Sequence, residues 1–216
     1  MSAPDPRKRD MLISKSLSYL LRHGAEKEKL PIDAQGWVAL DAVLRNNRVR
    51  THKATFDDIE RIVSQNEKQR FRLKTQDGTW YICANQGHTL KAVVPDLVLL
   101  DKSTMPSQVY HGTYAQKLPS IEGSGLSRMA RNHIHLTSNA PWSKSGIRAS
   151  CNTLIYIDTH KCMDDGLVFW RSANGVILCE GDKEGVILPR YFSKIEKVEK
   201  KRHEADNESG GSQKSA

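Results

Sequence analysis

The chain has 216 residues, 38% hydrophobic and 27% charged, which suits one soluble domain or two small ones with a modest core. No apolar run approaches the ~18 residues of a membrane span, and residues 1–10 are polar with no apolar signal core behind them, so the cytosol or nucleus is the expected location. A formal net charge of +8 suits a polyanionic partner, though a solvated basic face accounts for it equally well.

Residues 1–10 are expected to be flexible. Ile13, Leu17, Leu20 and Leu21 then recur at helical spacing, with Ser14 as a candidate cap. The stretch LSYLLRHGAEKEKLP, Leu17 to Pro31, ends that helix on Arg22 and His23, with Gly24 next. Cations complement the C-terminal end of a helix dipole and glycine commonly follows it. The same pair would also suit a phosphate. LPIDAQGWVALDAVL predicts a short strand, a turn at Gln35-Gly36 and a helix from Asp41. TFDDIERIVSQN predicts a third helix with a Thr55 cap and apolar Phe56, Ile59, Ile62 and Val63. RFRLK and WYICAN alternate as strands around Asp77-Gly78. Three helices followed by a hairpin is the winged-helix arrangement, which does not by itself decide function.

PDLVLLDKSTMPS reads as a connection, with a boundary near Met105 separating residues 11–104 from residues 105–198. Beyond it strands predominate: VYHGTY, HIHLTS, TLIYIDT, LVFWRS, GVILCE and GVILP. A helix over Gln116–Ser124 and a second over Pro141–Cys151 are expected between them. The fold class is therefore α+β. Residues 199–216 lack apolar anchors and are expected to be a disordered basic tail. Cys83, Cys151, Cys162 and Cys179 are scattered without a C-x-x-C pair, and are read as reduced thiols, mostly buried in strands.

Several short motifs could carry chemistry. KQRF puts Lys68 and Arg70 at the start of a strand, and NQGHTL puts Gly87 and His88 in a turn. In RNHIHLTS, alternation would place Arg131, His133 and His135 on one strand face. The two histidines could suggest metal, but no acid or cysteine stands at a partner spacing, so no metal is expected. RSANGVIL gives a polar turn, Ser172 to Gly175, before a strand.

Taken in this order, LSYLLRHG, GW, KQRF, NQGH, HGT, RNHIHL and RSANGV resemble the RNA 2′-phosphotransferase family over about Ser14 to Phe192. The resemblance implies a winged-helix RNA lobe followed by a β-rich ADP-ribosyltransferase-like lobe. It implies an enzyme that uses NAD⁺ as co-substrate to remove an internal 2′-phosphate from spliced RNA, in the context of tRNA splicing. The products would be 2′-OH RNA, nicotinamide and ADP-ribose 1″,2″-cyclic phosphate, formed by way of a 2′-phospho-ADP-ribosyl RNA. A monomer is expected.

By the same resemblance Arg22, His23, Arg70 and Arg131 handle the phosphate, and guanidinium forks suit an anionic phosphorus centre. Lys15, Lys68 and His88 are candidate RNA contacts. His111 would hold a cofactor ribose, with Gly112 and Thr113 beside it, and His135 with Thr137 would form the second motif. Val176 falls where related transferases acting on protein often carry a catalytic Glu. A phosphate monoester is already mostly dianionic at pH 7, its second pKa being ~6, so a carboxylate there would repel the substrate. Ser172 and Asn174 suit either cofactor contact or turn formation. Two other readings use parts of the same pattern: an ADP-ribosyltransferase that caps nucleic-acid phosphate ends, and a non-catalytic winged-helix RNA-binding protein.

Overall fold

The N-terminal half is organised by the apolar stripe of its first helix. In a computed structural model describing residues 6–138 and 150–198, helix α1 (Pro6–Tyr19) buries Ile13 and Leu17 completely. It continues through a π-helical turn, Leu20–Gly24, that buries Leu20 and Leu21. The start at Pro6 corrects two expectations. Ser14 lies inside the helix rather than capping it, and residues 6–10 belong to the helix rather than to a flexible lead. The reason is a charged anchor that local sequence does not reveal. The Arg9 guanidinium meets both Asp58 oxygens at 2.8 and 2.6 Å and donates to the carbonyls of His52 and Lys53. Arg61 pairs with Asp10 and Asp58.

The expected second helix is two. Asn46 takes an extended backbone, and its side chain accepts from the Arg48 N–H at 3.0 Å, dividing α2 (Leu40–Arg45) from α3 (Asn47–Arg50). Helix α4 (Phe56–Gln65) has the expected Thr55 cap, made reciprocal by Asp58. Strands β1 (Trp37–Ala39), β2 (Phe71–Gln76) and β3 (Thr79–Ala84) form an antiparallel sheet in the order β1-β3-β2. Asp77 and Gly78, both at positive φ, close the β2–β3 hairpin as its sequence predicts. Leu17, Leu21, Val43, Ile59, Phe71 and Ile82 meet in one core between helices and sheet.

The C-terminal half contains β4 (Leu97–Leu100), β5 (Tyr110–Thr113), α5 (Leu118–Ser124), β6 (Leu126–Ser127), β7 (Ile134–Leu136), β8 (Thr153–Ile157), α6 (Thr159–Asp164), β9 (Phe169–Ser172), β10 (Ile177–Cys179), β11 (Val186–Ile187) and β12 (Phe192–Lys197). They pair as β4-β9-β10-β7, β12-β8-β5 and β11-β6. Two backbone hydrogen bonds of 2.9 Å between Tyr110 and Thr137 join β5 to the end of β7. Leu136, Ile155, Phe169 and Ile177 are fully buried in the second core. The apolar run expected as a connection is strand β4. It pairs along β9 from Leu97↔Ser172 to Leu100↔Phe169, and Leu100 and Met105 join the second core. Leu97–Leu100, placed before the expected boundary near Met105, thus pair with a strand that follows it. The chain is α+β.

All four cysteines are free and buried. Cys83 and Cys179 lie in strands, but Cys162 lies in α6 and Cys151 in a loop. Burial pushes the thiol of Cys83 up to about 11 and those of Cys162 and Cys179 to about 12, which leaves these thiols protonated and inert. The helix expected over Pro141–Cys151 lies, except for its last two residues, outside the described residues, as does the tail from residue 199.

Candidate active site

Arg22 and His23 stand on the π-helical turn that follows α1, the half-buried and exposed pair between buried Leu21 and buried Gly24. Gly24 is not the left-handed cap its position suggests, because the chain stays right-handed through Ala25 at φ −55 and ψ −46. It is glycine because a Cβ there would lie 2.3 Å from the Tyr19 ring. Thr89 fastens the turn. Its N–H and hydroxyl both donate to the Arg22 carbonyl, at 2.9 and 3.3 Å. The hydroxyl, having given its proton, accepts from His23 Nδ1 at 3.1 Å. That assigns the proton of neutral His23 to Nδ1 and makes Nε2 the acceptor. Burial, then Arg22 and Arg131, hold the His23 pKa below the usual histidine value.

The Arg22 side chain, partly buried, packs between Phe71, whose ring centre lies 6.0 Å from Cζ, and Gly87, where a Cβ would sit 3.5 Å from the Arg22 stem. Gly87 has φ +89, and that conformation, rather than lack of space, is what favours glycine there. Burial, followed by the charges of Arg70 and Arg131, pulls the Arg22 pKa down to about 10. Its Nε has no hydrogen-bond partner among the described residues. A partly buried cation repelled by two others is costly unless an anion arrives to meet it. Arg70, itself pulled down by burial, donates to Asn66 Oδ1 at 3.2 Å.

Two cavities open here, and His23 lines both. One, of about 740 Å³, follows α1 and α4 and is lined by Lys15, Tyr19, Asn66 and Arg70. The other, of about 420 Å³, lies in the C-terminal half and is lined by His111, Arg128, Arg131, His133 and His135. An anion beside His23 would touch both halves of the protein.

The sequence has recognised relatives. The pattern of the "RNA 2'-phosphotransferase, Tpt1 / KptA family" matches residues 8–181. The tRNA 2'-phosphotransferase 1 of Danio rerio is 42% identical over 197 residues, covering 88% of this chain and 87% of that protein. The tRNA 2'-phosphotransferase of Saccharomyces cerevisiae is 47% identical over 182 residues, 79% of each chain. A probable RNA 2'-phosphotransferase of Acaryochloris marina is 36% identical over 185 residues, covering 85% of this chain and 96% of that one.

The chain belongs to the RNA 2′-phosphotransferase family. It is an enzyme of that type, and the expected site residues of this phosphotransferase divide into three groups. Arg22, His23, Arg70 and Arg131 converge, although Arg131 sits in a turn before β7 rather than on the strand face. His111 and His135 are coupled, His111 Nδ1 donating to the His135 carbonyl at 2.9 Å. That leaves His111 Nε2 as an acceptor at the smaller cavity. His135 is partly buried, and its Nε2 lies 2.7 Å from Gln86 Oε1, to which it must donate. Burial, then Arg131 and Arg22, drive its pKa to about 3.

Other residues lie elsewhere. His88, expected at the RNA, is 3% exposed, and burial takes its pKa to about 4, so it is a neutral packing group behind Arg22. Val176 is 0% exposed and Thr137 1%, so their side chains belong to the core rather than to an open cofactor surface. Thr113 is 7% exposed, and Gly112 pairs with Leu154 in the sheet. Ser172 and Asn174 form a hydrogen-bonded turn with Val176, and the Asn174 amide reaches the Lys68 carbonyl at 3.0 Å. Neither lines either cavity described above. Thr89 and Gln86, both within NQGHTL, are functional positions beyond the expected set. The clue was a dense polar run directly after an apolar strand. Among the described residues no group of three His, Cys, Asp or Glu side chains could hold a metal.

Proposed function

We propose that this phosphotransferase takes the internal 2′-phosphate of spliced tRNA and passes it to NAD⁺. In the first step the phosphate attacks the ribose carbon that bears nicotinamide, and nicotinamide leaves. In the second, the adjacent ribose 2″-hydroxyl attacks phosphorus and expels the RNA 2′-oxygen. The products are 2′-OH RNA, nicotinamide and ADP-ribose 1″,2″-cyclic phosphate. The 2′-phospho-ADP-ribosyl RNA stands between the two steps.

One observation carries this reading: His23 lines both cavities, and Arg22 before it, with Arg70 and Arg131 close by, keeps a buried Nε without a hydrogen-bond partner among the described residues. Preorganised cations of this kind stabilise charge that builds on phosphoryl oxygens. The donor set of the smaller cavity fits a dinucleotide: His111 Nε2 can accept from a ribose hydroxyl, and Arg128 can face a diphosphate. The larger cavity, with Lys15 and Arg70 along it, suits the RNA strand, and a winged-helix RNA lobe with an ADP-ribosyltransferase-like partner accords with that division. The names of the yeast and zebrafish relatives support tRNA as the substrate.

The test is incubation of the purified protein with nicotinamide-labelled NAD⁺ and an oligonucleotide carrying one internal 2′-phosphate. Nicotinamide release that depends on the 2′-phosphate, with 2′-OH RNA as product, is expected. ADP-ribose left on the RNA would convert the reading to a capping transferase. No nicotinamide release would leave only an RNA-binding role.

A further inference from the structure

Arg70 reaches the proposed phosphate position from a short, irregular segment between α4 and β2. Asn66, at the end of α4, organises the near side: its side-chain oxygen accepts from the Lys68 N–H at 3.0 Å and from Arg70 Nη1 at 3.2 Å. Gln69 then takes φ +43, a left-handed conformation that a residue with a Cβ adopts only when its surroundings enforce it. Two asparagines from outside the segment supply the enforcement. Asn85 holds the Gln69 carbonyl with its side chain and donates its N–H to the Arg70 carbonyl at 2.9 Å. Asn174, 106 residues further along the chain, donates from Nδ2 to the Lys68 carbonyl at 3.0 Å.

The Asn174 amide is itself oriented. Ser172 Oγ accepts from the Val176 N–H at 3.1 Å and lies 2.8 Å from Asn174 Oδ1, closer than the 3.1 Å to the Val176 carbonyl. Donating to Oδ1 turns Nδ2 toward Lys68, so both ends of the amide are satisfied by one assignment. Ser172 is 3% exposed, and Gly175 at φ +78 completes the turn. The hydrogen bond thus ties the C-terminal half to the backbone two residues before Arg70.

We propose that Asn174 is a positioning residue for Arg70. Its amide, aimed by Ser172, fixes the Lys68–Arg70 backbone so that the guanidinium meets the phosphate in place. This assigns the conspicuous polar turn of RSANGV to the phosphate chemistry rather than to cofactor contact. The inference rests on the proposed phosphate role of Arg70. A side chain held loosely after loss of such a tie still binds but misses the reacting geometry, and misplacement by about 1 Å can cost on the order of 100-fold.

The experiment compares Asn174→Ala, Ser172→Ala, Arg70→Ala and Asn174→Ala/Arg70→Ala in the NAD⁺ and 2′-phosphorylated oligonucleotide assay, with amide hydrogen exchange of the free proteins. Asn174→Ala should lower kcat by about 10- to 100-fold while KM for NAD⁺ stays within about twofold. Amide exchange over residues 69–71 should quicken. The double variant should be no slower than Arg70→Ala alone, since Asn174 acts through that guanidinium. Ser172→Ala should shift kcat and exchange in the same direction by a smaller factor, and it carries the test if Asn174→Ala does not fold. A raised KM for NAD⁺ with kcat retained would make Asn174 a cofactor contact and overturn the proposal. So would single-variant effects that multiply in the double variant, or unchanged exchange over residues 69–71. Normal turnover by Arg70→Ala would instead refute the phosphate role of Arg70, with exchange still deciding whether Asn174 holds the segment.

Discussion

Replacing Arg22 by methionine should make the free protein more stable and the enzyme nearly inactive. The stability part follows from the cost of burying this guanidinium without an anion. Burial and the neighbouring arginines lower its pKa from 12.5 to about 10. At ~1.4 kcal/mol per pH unit, the charged form then costs the fold about 3 kcal/mol. The sign is definite. The folded value lies below the unfolded one, so the cost is fully present at any pH below about 10 and fades as pH rises toward the unfolded value. Methionine keeps much of the apolar stem that lies against Phe71 and Gly87 but does not fill the guanidinium volume. A net gain of about 1–2 kcal/mol remains, which for a chain of this size is a rise in Tm of roughly 3–6 °C. Turnover should fall by at least about 100-fold, as on loss of one preorganised donor. Thermal unfolding with and without inorganic phosphate measures the other half of the reasoning. Phosphate should raise the Tm of the natural protein more than that of the variant, because it supplies the missing counter-charge. A variant that melts several degrees lower, together with a natural protein indifferent to phosphate, would refute the account of Arg22 as an anion receptor.

Gly24→Ala should destabilise the protein by about 1–3 kcal/mol in chemical denaturation and slow turnover as well, because the displaced Tyr19 ring packs beside the turn carrying Arg22 and His23. Asp58→Ala should cost about 1–3 kcal/mol, the range for losing hydrogen bonds to a charged group, because Arg9 and Arg61 lose a shared partner but stay within reach of water; denaturant titration measures it. Hydrogen bonds from Arg9 hold the Asp58 carboxyl far below the usual carboxylate range. Its contribution is therefore complete above the unfolded value near pH 4 and is lost on further acidification. Tm followed from pH 7 down to about 3 should fall more steeply in the natural protein than in Asp58→Asn. Turnover should survive EDTA, since three arginines already supply positive charge at the proposed phosphate position; abolition by EDTA with rescue by a divalent cation would refute that assignment.

The parts of this molecule legible in sequence are those governed by short-range rules. The Thr55 cap of α4 and the Asp77-Gly78 hairpin depend on residues within a few positions of each other, and both stand as the sequence predicts. Convergence of Arg22, His23, Arg70 and Arg131 was legible only through resemblance, because no local pattern relates side chains so far apart in the chain. Two of the misreadings share one cause. Pro6 begins the first helix because Arg9 finds Asp58, and Leu97–Leu100 is a strand because β9 offers it an edge. In each case a partner distant in sequence overrode a reasonable local reading. His88 failed in the opposite direction: a histidine in a polar turn reads as exposed, yet it is buried behind Arg22. Burial keeps that imidazole neutral, so it adds no further positive charge near Arg22. The burial that hid His88 from sequence reasoning therefore keeps a third cation from adding to the repulsion that Arg70 and Arg131 already exert on Arg22.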